Sequence, residues 1–306
     1  MSVDPAFAEL LADKRSELRA PPAHVSVDDM RAGNKAYLIT APRIPLQAVN
    51  DRVIPGPAGP LNVRVYRPTS EACLPAIVFC HGGGFVLGDL DTHDSICHRL
   101  AHSSGCVVVA VDYRRAPETR FPGALDDCTA ALRWTARHAA ELDLDHHRLA
   151  LCGDSAGGNL ATATALRARH DGPGVRHVAL LYPMLDPACD TESMHAYGRG
   201  YLLARSGVQW SWSQYLGSPA DTANPFVALL QADLAGLAPT SVVTAECDPL
   251  RDEGEAFAAR LRAAGVEVVA RRYAGMVHGF AGLPQLTPMA TQAIDDLAGD
   301  IRRSLA

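Results

Sequence analysis

Short apolar runs recur along this chain, each separated from the next by a stretch of helical periodicity: Ala76 to Cys80, Val107 to Val111, Leu149 to Cys152, Val178 to Leu181, Val242 to Ala245 and Val266 to Ala270. A strand that is apolar at every position has to be covered on both faces, and helices lying between such strands supply that cover. The pattern predicts an α/β protein built on a mostly parallel sheet with helices on both faces. At 306 residues, one sheet with one inserted element is the simplest organisation.

Two segments stand outside the alternation. Near the start, Asp4 is placed to cap a turn opened by Pro5, with Phe7, Leu10 and Leu11 on one face, and Ser26 with Asp29 has the spacing of a capping box. Pro42, Pro45, Pro55, Pro57 and Pro60 then break up the region around a strand at Gln47 to Ile54, and Leu61 to Tyr66 reads as the next strand. Between Pro187 and Pro225 the strand signal stops, and Tyr197, Tyr201, Trp210, Trp212 and Tyr215 crowd together as in a helical insertion with an apolar face. The expected division is residues 1–45 as N-terminal helices, 46–186 and 226–306 as the α/β core, and 187–225 as the insertion.

Charge and composition narrow the partners. The formal net charge is -6, and basic residues occur only in short pairs such as Arg271-Arg272 and Arg302-Arg303, which argues against nucleic acid. No apolar run approaches the roughly 18 residues of a membrane span. Asp4, Glu9 and Asp13 near the N-terminus do not fit a secretory signal, so a cytoplasmic location is expected. The cysteines are scattered singly without a C-x-x-C pair, as expected of reduced and mostly buried thiols.

The chemistry concentrates at strand ends. Leu149 to Cys152 runs into Gly153-Asp154-Ser155-Ala156-Gly157 and then into a helical pattern from Asn159 to Arg169. A serine on a tight strand-to-helix turn presents its hydroxyl outward, and small neighbours relieve the crowding such a turn creates. After the strand Ala76 to Cys80 comes His81-Gly82-Gly83-Gly84-Phe85, whose glycines let backbone amides approach a reacting oxygen. Acyl transfer further needs an acid and a histidine, in that order, after the serine. His278 follows the last strand, beside Gly279. The acid is Asp248 by its place at the start of its loop, with Glu246 and Asp252 as neighbouring alternatives.

With these residues in view, the chain resembles the hormone-sensitive lipase-like, bacterial carboxylesterase branch of the α/β-hydrolases. The resemblance rests on His81 to Phe85, Asp112-Tyr113-Arg114-Arg115-Ala116-Pro117-Glu118, Gly153 to Asn159, Asp248 to Glu253 and His278-Gly279-Phe280. It implies an α/β-hydrolase fold with a helical cap made by the N-terminal helices and the 187–225 insertion. Ser155, Asp248 and His278 would form the catalytic triad, with the amides of Gly83, Gly84 and Ala156 as the oxyanion hole. Hydrolysis of short to medium acyl esters without a cofactor is implied, often by a homodimer. Arg115 stands where the branch usually has leucine, which touches no implied catalytic residue.

Other readings stay open at this point. The same triad attacks amides, thioesters and lactones, and plant relatives of this fold that have lost the histidine act as receptors, although His278 is present here. Asp94, His98 and His102 share a helical face, but zinc normally takes three protein ligands within a supporting shell, so no metal site is expected. His146-His147 reads as a solvated pair.

Overall fold

The computed structural model describes residues 3–13, 17–22, 24–38 and 43–306, with Tyr37 and Leu38 by backbone only. Pro42 lies outside the described residues. Eight strands form one sheet: β1 (Ala48–Gly56), β2 (Gly59–Arg67), β3 (Leu74–Cys80), β4 (Val107–Val111), β5 (Leu144–Asp154), β6 (Val175–Leu181), β7 (Thr240–Cys247) and β8 (Val268–Val277). Their order is β1-β2-β4-β3-β5-β6-β7-β8. Strands β1, β2 and β4 pair antiparallel, and β4, β3, β5, β6, β7 and β8 pair parallel. The helices are α1 (Ala8–Ala12), α2 (Val27–Leu38), α3 (Asp94–Ser104), α4 (Gly123–Arg137), α5 (Ala156–Asp171), α6 (Glu192–Ala196), α7 (Arg205–Tyr215), α8 (Arg251–Ala263) and α9 (Pro288–Leu305).

The central strands are apolar throughout because successive side chains enter two different cores. Ala76, Val78 and Cys80 of β3, with Val107, Val109 and Val111 of β4, pack toward α4, α5 and α8. Ile77 and Phe79, with Val108 and Ala110, point the other way, toward α3 and α9. Helix α5 lies under the middle of the sheet and is buried along most of its length.

Most strands extend a few residues beyond the sequence reading, and the differences are largest at β8 and β5. The last strand was expected at Val266 to Ala270 but runs from Val268 to Val277, directly up to His278. Arg271 and Arg272 hid the continuation: Arg271 is paired with Asp300 of α9 and Arg272 with Glu255 of α8, so long charged side chains sit on an otherwise regular strand. Similarly β5 begins at Leu144, before the exposed pair His146-His147. All eight cysteines are free, and Cys73 is the one that is exposed.

The two segments outside the alternation meet each other. Asp4 caps the first turn through Ala6 N–H, its own amide donates to the Gly275 carbonyl of β8 at 2.9 Å, and Phe7 is fully buried against the sheet. Leu18 N–H donates to Leu202 O at 2.5 Å and Ala204 N–H to Leu18 O at 2.9 Å, joining the N-terminal segment to the insertion. Gly207 permits this approach, since a Cβ there would lie 2.3 Å from Leu18 O. The Ser26–Asp29 capping box forms, with each backbone amide donating to the other side chain at 3.1 Å. Helix α2 is fastened to the core by Arg31, which donates to Val86 O, Ala116 O and both oxygens of Glu118. Lys35 pairs with Asp89 and Asp91, a more exposed and correspondingly weaker contact.

The tightest point of the fold lies where β5 turns into α5. A Cβ added at Gly157 would sit 2.0 Å from Cys80 O and 2.5 Å from His81 O, both backbone atoms that cannot rotate away. Gly157→Ala should therefore destabilise the fold by about 3 kcal/mol or more, a severe overpacking cost. Gly174→Ala, where nothing lies within 4 Å, should stay within about 0.5 kcal/mol. Urea unfolding of the two variants checks the contrast, and equal midpoints would contradict it.

Candidate active site

Strand β5 carries Ser155 to the middle of the sheet's carboxyl edge, where the chain reverses into α5. Ser155 adopts φ 53 and ψ -121, a backbone conformation that L-residues rarely hold. Its neighbours fix it there. The Ser155 amide donates to Leu181 O at 2.9 Å, and its carbonyl accepts from the Gly158 and Met184 amides, each at 3.0 Å. Gly153 permits the reversal, since a Cβ there would meet Gly157 O at 2.2 Å.

The structure brings Asp248 and His278 to this serine from the ends of β7 and β8. His278 Nδ1 lies 2.8 Å from Asp248 Oδ2 and Nε2 lies 2.9 Å from Ser155 Oγ, consistent with the tautomer in which Nδ1–H donates to the carboxylate and the serine hydroxyl donates to Nε2. The second oxygen of Asp248 accepts from Leu250 N–H at 2.8 Å. All three side chains are buried. Tyr182 packs edge-on against the imidazole, with ring centroids 4.9 Å apart. The alternative acids are engaged elsewhere: Glu246 accepts from Gly275 N–H at 2.8 Å, and Asp252 accepts from Ser193 N–H and pairs with Arg251.

Gly83 and Gly84 face the same space, with φ of 113 and 62. Among the described residues, no protein group accepts from either amide. Ala156 opens α5, where first-turn amides have no partner in their own helix. Gly83 and Gly84 line the same cavity as Ser155, and Ala156 follows the serine in the chain.

Beneath the glycine loop lies a buried polar network that sequence reasoning missed. Gly82 N–H donates to Asp154 Oδ1 at 2.8 Å, and His93 Nε2 sits 3.3 Å from Asp154 Oδ2. Burial opposes ionisation of both groups, but their mutual attraction prevails, raising the His93 imidazole and lowering the Asp154 carboxyl from their ordinary values. His81 stacks on Tyr113 at 4.1 Å, with its ring centroid 5.4 Å from that of His93. Burial, reinforced by the charge of His93, pushes the His81 imidazole down to about 3. Of these two adjacent buried histidines, one is therefore shifted up from its ordinary value and the other down. Asp154 stood inside the motif already singled out, whereas His93 carried no sequence signal. Glu253 was also missed: it is fully buried, accepts from Leu185 N–H at 2.6 Å, and is pushed well above the usual carboxylate range by burial.

The serine and imidazole open into a cavity of about 630 Å³. Its far wall comes from Leu18 and Met30 of the N-terminal segment and from Leu202, Val208 and Trp210 of the insertion. Arg115 lines a separate cavity and donates to Gly88 O at 2.6 Å. The Asp94, His98, His102 face does not gather as a site: Asp94 is held by Tyr66 and Arg64, His98 bonds the Asp94 carbonyl, and His102 is exposed. Among the described residues, no group of three or more His, Cys, Asp or Glu could hold a metal ion.

A central parallel sheet with a serine at a strained strand-to-helix turn, and an acid and a histidine from later strand ends, defines the α/β-hydrolase class. A family model described as alpha/beta hydrolase fold matches residues 77–282. The chain belongs to this family, in its hormone-sensitive lipase-like branch. It is 40% identical over 296 residues to the carboxylic ester hydrolase LipN of Mycobacterium tuberculosis, covering 92% of this chain and 78% of that protein. It is 36% identical to the ethyl acetate hydrolase of Pseudomonas putida, covering 96% of both chains. A hyperthermophilic esterase of the archaeon Pyrobaculum calidifontis superposes with a TM-score of 0.94 at 38% identity, covering 100% of each chain.

The neutral state of His81 has a measurable consequence. An unfolded histidine binds a proton below about 6.5, while folded His81 remains neutral down to about 3. The unfolded state therefore takes up more protons in that window, and stability is lost as pH falls through it, by at most about 1.4 kcal/mol per pH unit from this residue. Urea unfolding at pH 7, 6 and 5 should show His81→Asn losing less stability than the wild type over the same interval. Parallel losses in the two proteins would refute this account of His81.

Proposed function

We propose that this protein is a carboxylic ester hydrolase that cleaves short to medium acyl esters through an acyl-enzyme on Ser155. The observation that carries the reading is the unbroken hydrogen-bond path from Ser155 Oγ through His278 to Asp248, opening on a largely apolar cavity. His278 Nε2 accepts the serine proton as Oγ attacks the ester carbonyl. Asp248 keeps the other imidazole proton on Nδ1 and stabilises the imidazolium that forms. The Gly83, Gly84 and Ala156 amides receive the developing oxyanion. Imidazolium then protonates the departing alcohol, and water repeats the attack on the acyl-enzyme with the same base.

Residues 1–45 and 187–225 act in this proposal as one cap over a core of 46–186 and 226–306, supplying the apolar walls that a nucleophile at a sheet edge lacks. The named relatives support an ester over an amide, thioester or lactone, and the hydrogen-bonded His278 separates the chain from a receptor that has lost its base. Among the described residues, no helix is long and apolar enough to cross a membrane. The resemblance to the branch adds a homodimer to the proposal, and a cytoplasmic location is carried with it.

Ser155→Ala should retain the fold and lose turnover of p-nitrophenyl butyrate by roughly 10⁴-fold or more, with matching amide and thioester substrates assayed beside it. Residual ester hydrolysis within tenfold of wild type would place the nucleophile elsewhere. For the acid, Asp248→Asn should cost roughly 10⁴-fold in kcat because it inverts the tautomer of the base, whereas Glu246→Gln should cost less than about tenfold. Steady-state kinetics of the two variants decide the assignment, and the opposite ranking would transfer the role to Glu246.

A further inference from the structure

The glycine loop is held from above by the insertion. Gly83, Gly84 and Phe85 have φ of 113, 62 and 63, so the backbone stays in the left-handed region for three residues in succession. Glycine tolerates this conformation, but a bulky aromatic residue rarely does. Hydrogen bonds secure the loop on either side: Gly82 N–H reaches Asp154, and the Val86 and Leu87 amides fold back on Gly83 O at 3.1 and 2.7 Å. Between them the Phe85 carbonyl accepts from Ala116 N–H at 2.9 Å, while the Gly83 and Gly84 amides are left for the reaction.

A further hold on this stretch is the Phe85 ring. It is fully buried and lies face to face on Tyr215, with centroids 3.8 Å apart and planes 6° from parallel, while Trp212 closes on it at 5.2 Å. Both partners belong to α7 of the insertion. That helix is anchored to the core where Phe121 N–H donates to Tyr215 O at 2.7 Å and Arg120 donates to Leu216 O at 2.9 Å. Among the described residues, none hydrogen-bonds the buried Tyr215 OH or Trp212 Nε1. An unpaired buried polar atom is unfavourable, so what the site uses in these residues is their rings. The same helix brings Ser211 against Gly84, where a Cβ would meet its Oγ at 2.3 Å.

We propose that Trp212 and Tyr215 form an aromatic clamp on Phe85 that positions the Gly83 and Gly84 amides for the oxyanion, making them positioning residues of the reaction in addition to elements of the cap. The proposal rests on the hydrolase reading of Ser155. A donor aimed at an oxyanion acts only when the charge develops, so loosening the clamp weakens the transition state and leaves ground-state binding nearly intact.

The test compares Tyr215→Leu with Tyr215→Phe on p-nitrophenyl butyrate, with active sites titrated by a fluorophosphonate so that misfolded protein is not counted. Tyr215→Leu should lower kcat per titrated site by about tenfold, a fraction of the roughly 10²- to 10³-fold carried by a whole oxyanion donor, with KM within about twofold. Affinity for a trifluoromethyl ketone, whose serine adduct bears the oxyanion, should fall by a similar factor. Tyr215→Phe keeps the ring and should remain within about twofold of wild type in all of these. If Tyr215→Leu yields no titratable protein, Trp212→Leu against Trp212→Phe is judged by the same criteria.

An unchanged kcat per site, a rise in KM alone, or equal losses in the Leu and Phe variants would overturn the clamp. The two readings fail separately. Wild-type ester turnover that Ser155→Ala does not abolish would remove Ser155 as the nucleophile and the proposal with it, whereas Ser155-dependent turnover insensitive to Tyr215→Leu would remove the clamp alone.

Discussion

The close approach of three backbone segments at the carboxyl edge of the sheet governs the rest of this structure. Where β5 ends, α5 begins and β3 leads into the glycine loop, the carbonyls of Cys80, His81 and Gly157 lie within about a bond length or two of where side chains would be at Gly153 and Gly157. Only glycine fits at those positions. That crowding accompanies the left-handed backbone of Ser155 at the turn from β5 into α5, and the same turn faces the cavity lined by Gly83 and Gly84. An unfavourable conformation of this kind survives because hydrogen bonds overdetermine it, the Ser155 amide donating to Leu181 O and the Ser155 carbonyl accepting from Gly158 and Met184. Asp248 and His278 are positioned by the sheet in turn, since the parallel register of β7 and β8 brings their ends to the same edge as that of β5.

Where the serine, the acid and the histidine would meet was largely legible in the sequence, because each follows a short apolar run and the sheet converts such runs into neighbouring strand ends. Boundaries were less legible wherever long charged side chains interrupt a strand. Arg271 and Arg272 end the apolar signal of β8 early, because their partners Asp300 and Glu255 are distant in sequence. The polar support of the glycine loop was illegible for a related reason. His93 opens an ordinary helical pattern, and nothing local shows that it faces Asp154, 61 residues away. The pairing of Phe85 with Tyr215 is likewise a product of tertiary structure, although the aromatic crowding of the insertion marked that segment as one with a face to bury.

Electrostatics near the site follow a consistent division. The polar pair that supports the geometry, Asp154 with His93, is buried, while charges that fasten the N-terminal helix, Lys35 with Asp89 and Asp91, are partly in water. The first kind keeps its strength in salt and the second is screened. Helix α2 is therefore held chiefly by Arg31, whose guanidinium is largely covered and reaches two carbonyls and a carboxylate at once.

The seam between Leu18 and the Leu202–Ala204 segment bears on the order in which this chain can assemble. Its N-terminal strand of contacts needs residues far downstream: Leu18 waits for Leu202 and Ala204, and Asp4 waits for Gly275. During synthesis these residues emerge well before their partners and are thus among the last that can dock, while the sheet from β1 to β6 does not need their hydrogen bonds. A nascent chain that has not yet emerged as far as Ala204 cannot close that seam, and its closing is what brings the two halves of the cavity wall together.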